Sequence, residues 1–241
     1  LPICDYVVNC HDGVAHGELD IYGILGMSCN GAFDTIAQTL NSTKWQKLAE
    51  DFGYNQSDRS QVDFPYKKSH FDIASDDSVW SRMQLAIGQG TTTVTPLLNL
   101  MMYAAIANDG VMMTPYLVDH YLDADGNVVE QTKPKALRSV CTKAEAELMD
   151  EFLTYVITNG TAAAGGSQYA RVSGKTGSAQ YDSTKNYHAW FCGYGTNDDE
   201  CGFDYFVDVS QMELGEHSIL VQLLDEKDKV ISEKDLKINI I

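Results

Sequence analysis

The sequence is short of basic residues, and this shortage limits the partners that the protein can bind. Its 241 residues include 17 Lys and Arg against 34 Asp and Glu, which gives a formal net charge of −17. Nucleic-acid surfaces need clustered cations to contact the phosphates. The composition therefore predicts no nucleic-acid partner, and the acidic residues are expected to lie on a solvated surface.

Long apolar runs are missing as well. The longest apolar stretch, "LLNLMMYAAIA", falls well short of the roughly 20 residues that a membrane-spanning helix needs. The N-terminal stretch "LPICDYVVNC" lacks the basic n-region of a secretory signal peptide. We therefore expect any targeting or anchoring segment to lie outside this sequence.

Recognisable metal patterns are also lacking. The segment "CDYVVNCHDGVAH" contains Cys4, Cys10, His11 and His16, but their spacing matches no common zinc pattern. The sequence therefore predicts no metal site, and no cofactor is expected. The six cysteines leave the redox compartment open, because Cys4 and Cys10 are close enough in sequence to pair. The scattered cysteines are expected to be mostly reduced, small, buried residues: Cys29, Cys141, Cys192 and Cys201.

Helical periodicity begins after a glycine-punctuated N-terminal segment. Apolar residues recur on one helical face in residues 31–40, and a second helix is expected over residues 44–52. Residues 54–78 are polar and rich in Ser and Asp. They predict a long surface loop, of the kind that often borders a binding site.

Two further helices carry clear start signals. Thr95 can cap a helix that begins at Pro96, because proline fits the first helical position, where no N–H is needed. Thr142 and Glu145 have the spacing of a capping box, and the helix that follows is expected to end at Gly160.

Strand patterns fill much of the remaining sequence. Alternating residues on both sides of Asp125-Gly126 predict a hairpin. The stretches "YARVSGKTGSAQY" and "YHAWFCGYG" read as two strands joined by a polar turn at residues 182–186. The tail then shows three short strand patterns separated by polar turns.

The Gly-Lys-Thr-Gly run at residues 174–177 has two interpretations. A phosphate-binding loop needs Gly, four residues and then Gly-Lys-Ser/Thr, placed between a strand and a helix. Here Tyr169 stands at the first Gly position, and the residues after Gly177 predict a turn rather than a helix. Without a helix N-terminus to hold a phosphate, the nucleotide interpretation fails. An acyl-transfer site on a strand remains.

The acyl-transfer interpretation needs partners, and one is present. Ser28 and Asn30 form a Ser-x-Asn triplet directly before a predicted helix. With Lys-Thr-Gly it supplies two of the three motifs of the serine acyltransferases, which are Ser-x-x-Lys, Ser-x-Asn and Lys-Thr-Gly. Either triplet alone occurs by chance, in which case Ser28 is a helix cap and Lys175 a solvated strand lysine.

With these motifs in place, the sequence resembles the penicillin-binding proteins, more closely their class B transpeptidases. Further stretches similar to that family are "IGQGTTTVTPL", "AAIANDGVMMTPYLV", "VITNGTA", "SGKTGSAQ" and "HAWFCGYG". They occur in the family's order and cover roughly residues 16–196. A β-lactamase has the same motif set, but the block order and the "IGQG…TPL" stretch fit the transpeptidases better.

The resemblance implies a substrate and a set of roles. The substrate is a peptidoglycan stem peptide that ends in D-Ala-D-Ala, and β-lactams acylate the same serine nucleophile. Ser28 takes part in the proton relay near the leaving nitrogen, and Asn30 offers its amide to the substrate backbone and to the catalytic Lys. Cys29, between them, is expected to point into the core.

The Lys-Thr-Gly strand has its own implied roles. Lys175 supplies a fixed positive charge, and Thr176 hydrogen-bonds the substrate carboxylate. Gly177 lets the substrate approach the strand edge, and the N–H of Ser178 is one of two oxyanion-hole donors. The resemblance thus makes Ser28, Asn30, Lys175 and Ser178 catalytic, with Thr176 and Gly177 binding substrate.

The family's nucleophile is missing from this sequence. No Ser is followed by Lys three positions later, and in Ser42-Thr43-Lys44 and Ser183-Thr184-Lys185 the Lys stands two positions on. On a helix, the three-residue spacing places Lys beside the Ser as its base. In the family this motif lies upstream of Ser-x-Asn, so we expect it to precede Leu1 and the chain alone to be inactive. The alternative is a non-catalytic relative that binds cell-wall peptides or partners.

These expectations combine into an α+β fold, an antiparallel sheet with surrounding helices that is incomplete at its N-terminus. Residues 1–197 are expected to form the C-terminal portion of a transpeptidase-like domain. Residues 198–241 form a β-rich tail, which either completes the sheet or is a small immunoglobulin-like piece. An incomplete sheet exposes an edge, so we expect either the tail strands or a second copy of the chain to pair with that edge. The family also implies an extracytoplasmic location.

Overall fold

The computed structural model describes residues 2–3, 6–10, 13, 15–56, 62, 64–180, 187–196, 203–208, 215–224 and 230–240. Six α-helices lie within these ranges: α1 (Ile21–Gly26), α2 (Asn30–Thr39), α3 (Ser42–Asp51), α4 (Val79–Ala86), α5 (Pro96–Ala107) and α6 (Lys143–Asn159). A short 3₁₀ turn, Ala163–Gly165, follows α6. None of the helices in the described ranges is both long and apolar enough to cross a bilayer.

Strands occupy most of the remaining regular structure: β1 (Pro2–Ile3), β2 (Tyr6–Val7), β3 (Val111–Met113), β4 (His120–Leu122), β5 (Val128–Gln131), β6 (Ala136–Ser139), β7 (Arg171–Gln180), β8 (Tyr187–Thr196), β9 (Phe203–Asp208), β10 (Gly215–Leu224) and β11 (Val230–Ile240). The largest sheet has the antiparallel order β7-β8-β9, and the other strands pair as β1-β2, β3-β6, β4-β5 and β10-β11. Helices packed beside antiparallel sheets confirm the predicted α+β class.

The predicted helix starts are confirmed. The Thr95 hydroxyl accepts a hydrogen bond from the backbone N–H of Leu98 at 3.2 Å, and Pro96 occupies the first helical position of α5. At α6, the backbone N–H of Glu145 donates to the Thr142 hydroxyl at 3.3 Å, while the Glu145 carboxylate accepts from the backbone N–H of Thr142 at 2.8 Å. Each cap satisfies N–H groups that the first turn leaves without partners.

The predicted hairpin is also confirmed, because β4 pairs with β5 in antiparallel register. One oxygen of Asp123 accepts from the backbone N–H groups of Asp125 at 2.9 Å and Asn127 at 2.8 Å. Gly126 adopts a left-handed φ of 85°, a conformation that glycine takes without steric cost. The Asp-Gly pair therefore sets the turn.

The segment before α4 differs from the predicted surface loop. Phe71 and Ile73 are buried in a cluster with Leu85. The Asn55 amide donates to the backbone oxygen of Phe71 at 2.6 Å, and the Gln46 amide oxygen accepts from the backbone N–H of Ile73 at 3.0 Å. Side-chain amides thus take the place of a neighbouring strand, which lets an irregular segment enter the core.

The core nearest the Lys-Thr-Gly strand lies between α6 and β7. Its buried residues are Val156, Ile157 and Ala162, and partly buried residues pack against them: Leu25, Val172 and Phe191. Leu25 belongs to α1, so the end of α1 shares a core with β7. This packing brings the connection after α1 close to the strand that carries Lys175.

The tail contains strands that pair in two different ways. β9 pairs with β8 along Phe203–Asp208, whereas β10 pairs with β11. The predicted turn at residues 182–186 and the predicted boundary between residues 197 and 198 lie outside the described residues. The division into two parts stays a prediction.

Asp34 is a buried acid in α2, and it offers a test of the packing. The residue is 2% exposed, its Oδ1 has no hydrogen-bond partner among the described residues, and burial raises its pKa to about 6. Folding therefore favours the protonated form, and stability is lost as the pH rises from about 4 to 6. Asp34→Asn is expected to raise the free energy of unfolding at pH 7 by about 1–3 kcal/mol, measured by chemical denaturation.

The control for this substitution is Asp76→Asn, which changes an exposed acid before α4. Surface changes of this kind alter stability by about 0.5 kcal/mol or less. The Asp34 variant should also lose part of the stability gain that the parent shows between pH 7 and pH 5. An Asn variant that is no more stable at pH 7, with an unchanged pH profile, would contradict this account.

Candidate active site

The fold brings the two short motifs together. Lys175 lies in β7, and Ser28 lies in the connection between α1 and α2. The Lys175 ammonium donates to the Ser28 hydroxyl at 2.9 Å, although the two residues are 147 positions apart in sequence. It also donates to the backbone oxygen of Thr176 at 2.9 Å. A single cation therefore links the Ser-x-Asn turn to the Lys-Thr-Gly strand.

Ser28 is held in an uncommon backbone conformation. Its φ is +51°, in the left-handed region that few residues other than glycine adopt. The flanking backbone is fixed on both sides, because the N–H of Cys29 donates to Ile24 at 3.0 Å and the N–H of Thr161 donates to Gly26 at 2.9 Å. The turn is therefore attached to both α1 and the end of α6.

Gly26 is required for this attachment. A Cβ at Gly26 would lie 2.8 Å from the Tyr155 ring, and one at Gly160 would lie 2.4 Å from the backbone oxygen of Gly26. A Cβ atom essentially never lies within 3.0 Å of another non-bonded heavy atom, so either substitution would force the neighbouring atoms to shift. The close approach of α1 to α6, and with it the position of Ser28, depends on these two glycines.

Lys175 is a mostly buried cation. Burial lowers its pKa to about 8. Its hydrogen-bond acceptors in the described part of the chain are neutral oxygens, and no carboxylate there forms an ion pair with it. The folded site therefore holds a positive charge that an incoming anion can neutralise.

An apolar recess of about 420 Å³ lies beside Lys175. Aromatic side chains form much of its wall, among them Trp45, Phe71 and Tyr103. Burial in these surroundings also raises the pKa of Tyr103. The apolar wall accounts for the desolvation of the Lys175 ammonium.

The residues after Lys175 lie on an accessible part of β7. Gly177 and Ser178 are exposed, and the Thr176 hydroxyl lies 3.2 Å from that of Thr161. Within the described strands, β7 pairs on one flank only, with β8. The backbone of its other flank can therefore pair with an extended ligand.

Asn30 and Cys29 lie on the side of the turn that faces the N-terminal segment. The Asn30 amide donates to the backbone oxygen of Asn9 at 3.4 Å, and in the described residues it makes no hydrogen bond to Lys175. The prediction that Cys29 points into the core needs correction. Its side chain is half-buried, and its Sγ lies 3.7 Å from the Sγ of Cys10.

A partly buried acid that the sequence did not reveal anchors the start of β7. One oxygen of Asp150, in α6, accepts from the hydroxyls of Ser173 and Tyr194, both at 2.7 Å. Its other oxygen accepts from the Arg171 guanidinium. Ser173 is fully buried, and its hydroxyl also lies 2.8 Å from that of Thr154.

This Asp150 network joins α6 to both β7 and β8. Burial acts to raise the pKa of Asp150, but the hydrogen bonds from Tyr194, Ser173 and Arg171 outweigh it and lower the pKa. The carboxylate is therefore ionised in the folded protein. Because Ser173 lies two positions before Lys175, the network fixes the strand that presents the lysine.

The site can be compared with known proteins. The family model of the penicillin binding protein transpeptidase domain matches residues 6–204. The penicillin-binding protein PbpB of Mycolicibacterium smegmatis is 29% identical over 182 residues, which are 72% of this chain and 28% of PbpB.

Two solved structures are similar in both sequence and fold. A D,D-transpeptidase domain of a peptidoglycan glycosyltransferase from Eggerthella lenta is 28% identical, with a TM-score of 0.70, over 76% of this chain and 47% of that chain. Penicillin-binding protein 3 from Mycobacterium tuberculosis, solved with aztreonam, is 26% identical, with a TM-score of 0.63, over 78% and 45%. The chain thus spans less than half of each of these relatives.

Proposed function

The chain belongs to the penicillin-binding protein transpeptidase family, and from this premise we propose that it is part of a peptidoglycan D,D-transpeptidase. Its substrate is a stem peptide ending in D-Ala-D-Ala, and the reaction is serine acyl transfer. The observation that carries the proposal is the Lys175–Ser28 hydrogen bond of 2.9 Å, which joins two of the three acyltransferase motifs. The acyl-transfer reaction takes place outside the cytoplasm, where the cell wall lies, and needs no cofactor.

The strand side of the site binds the substrate. Lys175 and Thr176 bind the terminal carboxylate of the substrate. The Lys175 ammonium is desolvated and forms no ion pair in the described residues, so it is available to bind this anion. The exposed backbone at Gly177 and Ser178 pairs with the extended peptide. The N–H of Ser178 donates to the oxygen that becomes negative when the carbonyl is attacked.

The turn side of the site moves the proton. The nucleophile's oxygen bonds to the penultimate carbonyl carbon, the peptide C–N bond breaks, and the leaving D-Ala nitrogen must gain a proton. The Ser28 hydroxyl can donate one proton while accepting another, and the Lys175 ammonium keeps it oriented. Asn30 offers its amide to the substrate backbone. An amine of a second stem peptide then takes the acyl group and releases the nucleophile.

The nucleophile itself is proposed to come from a Ser-x-x-Lys segment that is not among these 241 residues. None of the serines here has Lys three positions later. The retained motifs can bind and orient a substrate, but they contain no serine with the lysine three positions later that the family uses as the base of its nucleophile. A β-lactam would bind at the same carboxylate position and acylate the same nucleophile.

Labelling with a fluorescent penicillin tests this proposal. The 241-residue chain is expected to show no covalent label on a denaturing gel, whereas a longer protein from the same gene that includes a Ser-x-x-Lys segment is expected to be labelled. Prior incubation with unlabelled penicillin should block the signal. Covalent labelling of the short chain would show that a residue within it is the nucleophile.

A different result would favour the non-catalytic alternative. If the gene encodes no upstream Ser-x-x-Lys and no form of the protein is labelled, the chain is a binder of cell-wall peptides or partners. Equilibrium binding of a soluble D-Ala-D-Ala peptide, compared with the same peptide ending in an amide, would then measure whether the carboxylate is recognised.

A further inference from the structure

Three potential metal ligands meet next to the Ser-x-Asn turn. The ligand atoms of Cys10, His16 and Cys29 all lie within 4.8 Å of one another, and each of the three side chains is half-buried. The four residues considered from the sequence were Cys4, Cys10, His11 and His16. Cys4 and His11 lie outside the described residues, and Cys29 was not part of that set because 19 positions separate it from Cys10.

The sulfur–sulfur distance fits a shared metal ion better than a disulfide. The Sγ atoms of Cys10 and Cys29 are 3.7 Å apart. Two thiolates bound to one zinc ion at about 2.3 Å with tetrahedral angles are separated by about 3.8 Å. A disulfide needs about 2.0 Å, so the two side chains are not bonded in this arrangement. A weak thiol hydrogen bond also fits this distance, and a second observation is needed.

His16 supplies that observation. Its Nδ1 is buried and has no hydrogen-bond partner among the described residues. Buried polar atoms are nearly always paired, because an unpaired one loses its water without compensation. Its imidazole lies in the same cluster as the two thiols. The cluster therefore combines two soft ligands with a histidine that lacks a partner.

We propose that Cys10, His16 and Cys29 bind one Zn²⁺ ion, with water in the fourth tetrahedral position. Thiolate and imidazole ligands together favour zinc over magnesium or calcium, which prefer oxygen. The proposed transpeptidase function is not needed for this site, because none of the three ligands belongs to the residues assigned to catalysis or to substrate binding, although Cys29 lies between Ser28 and Asn30 in sequence.

The bound ion would position the neighbouring turn. Cys29 lies between Ser28 and Asn30, and Asn30 already donates to the backbone of Asn9, next to Cys10. A metal ion coordinated by Cys29 together with Cys10 and His16 would connect the N-terminal segment to this turn. The proposed ion therefore affects the candidate active site by holding the turn in place. None of its three ligands is a hydrogen-bond acceptor of Lys175 in the described residues.

Metal titration of the reduced, metal-free chain tests the proposal. Co²⁺ is expected to bind at one ion per chain, with the intense near-ultraviolet band of cobalt–thiolate bonds and the visible bands of a tetrahedral site. Zn²⁺ should displace it stoichiometrically. Cys29→Ser and His16→Asn are each expected to weaken Zn²⁺ binding by about 100-fold. Cys141→Ser, which changes another half-buried free cysteine, should bind like the parent.

A second measurement uses the unaltered chain and therefore does not depend on the folding of any variant. In the unaltered chain, Zn²⁺ should slow alkylation of Cys10 and Cys29, read by peptide mass spectrometry, and leave the alkylation of Cys141 unchanged. Equal zinc affinity in the parent and Cys29→Ser would overturn the proposal. So would a Cys10–Cys29 disulfide whose reduced form still binds no metal. Neither result bears on penicillin labelling of the longer protein.

Discussion

Replacing Lys175 with methionine is expected to slow acylation by a β-lactam by about 100-fold or more, in the proposed longer form that includes a Ser-x-x-Lys segment. Methionine has nearly the same length and fills the same apolar surroundings, but it removes the only charge that the described site offers to the substrate carboxylate. It also removes the hydrogen bond that orients the Ser28 hydroxyl. The measurement is the second-order rate of labelling by a fluorescent penicillin.

The pH dependence separates this role from a general loss of structure. The pKa of Lys175 is about 8, so the ammonium is charged below that pH and is lost as the pH rises through it. The parent rate should therefore fall above about pH 8, by about tenfold per unit. The methionine variant should lack this decline.

Lys68→Met is the matched control, because it removes an exposed lysine from the segment before α4. It should label at the parent rate. A Lys175→Met variant that keeps its fold and labels within about threefold of the parent would contradict the assignment of Lys175 as the carboxylate-binding cation.

Replacing Asp150 with alanine is expected to lower the free energy of unfolding by about 2–4 kcal/mol. The buried Tyr194 hydroxyl would lose its acceptor, the buried Ser173 hydroxyl would keep only Thr154, and Arg171 would lose its ion pair. At about 2–4 °C per kcal/mol for a chain of this size, the melting temperature should fall by roughly 5–15 °C. Both values follow from thermal and chemical denaturation followed by circular dichroism.

The control for Asp150→Ala is Glu147→Ala in the same helix. Glu147 is exposed and lies 3.7 Å from the Lys143 ammonium, a surface pair that contributes about 0.5 kcal/mol or less. Because the folded-state pKa of Asp150 is lowered, its contribution is present above its ordinary pKa and is lost as the pH falls below about 4. Equal stability of the two variants at pH 7 would show that the network is not a stabilising one.

Local signals were sufficient to predict parts of the fold. The caps at Thr95 and Thr142, and the turn at Asp125-Gly126, depend on hydrogen bonds between residues no more than four positions apart. Short stretches of sequence are therefore sufficient to predict the geometry of these caps and of this turn. The strand nature of residues 171–180 followed from the failure of the phosphate-loop pattern as much as from any positive signal.

Long-range contacts set the limit of that reading. Phe71 and Ile73 enter the core because Asn55 and Gln46 pair with their backbone, and neither amide has a pattern that predicts such a partner. Asp150 looks like any polar residue of an amphipathic helix, since its three donors come from two strands further along the chain. The meeting of Ser28 with Lys175 was expected only from the family resemblance.

The left-handed backbone of Ser28 lowers the stability of this turn, and it is the cost of placing a hydroxyl there. A residue other than glycine in the left-handed region costs on the order of 1 kcal/mol, and glycine at position 28 would relieve that strain. The same change would leave the Lys175 ammonium without one of the two acceptors that it has among the described residues. If Ser28 takes the proposed part in proton transfer, selection for thermostability and selection for activity oppose each other at this position, and stability screens would recover variants with lower activity.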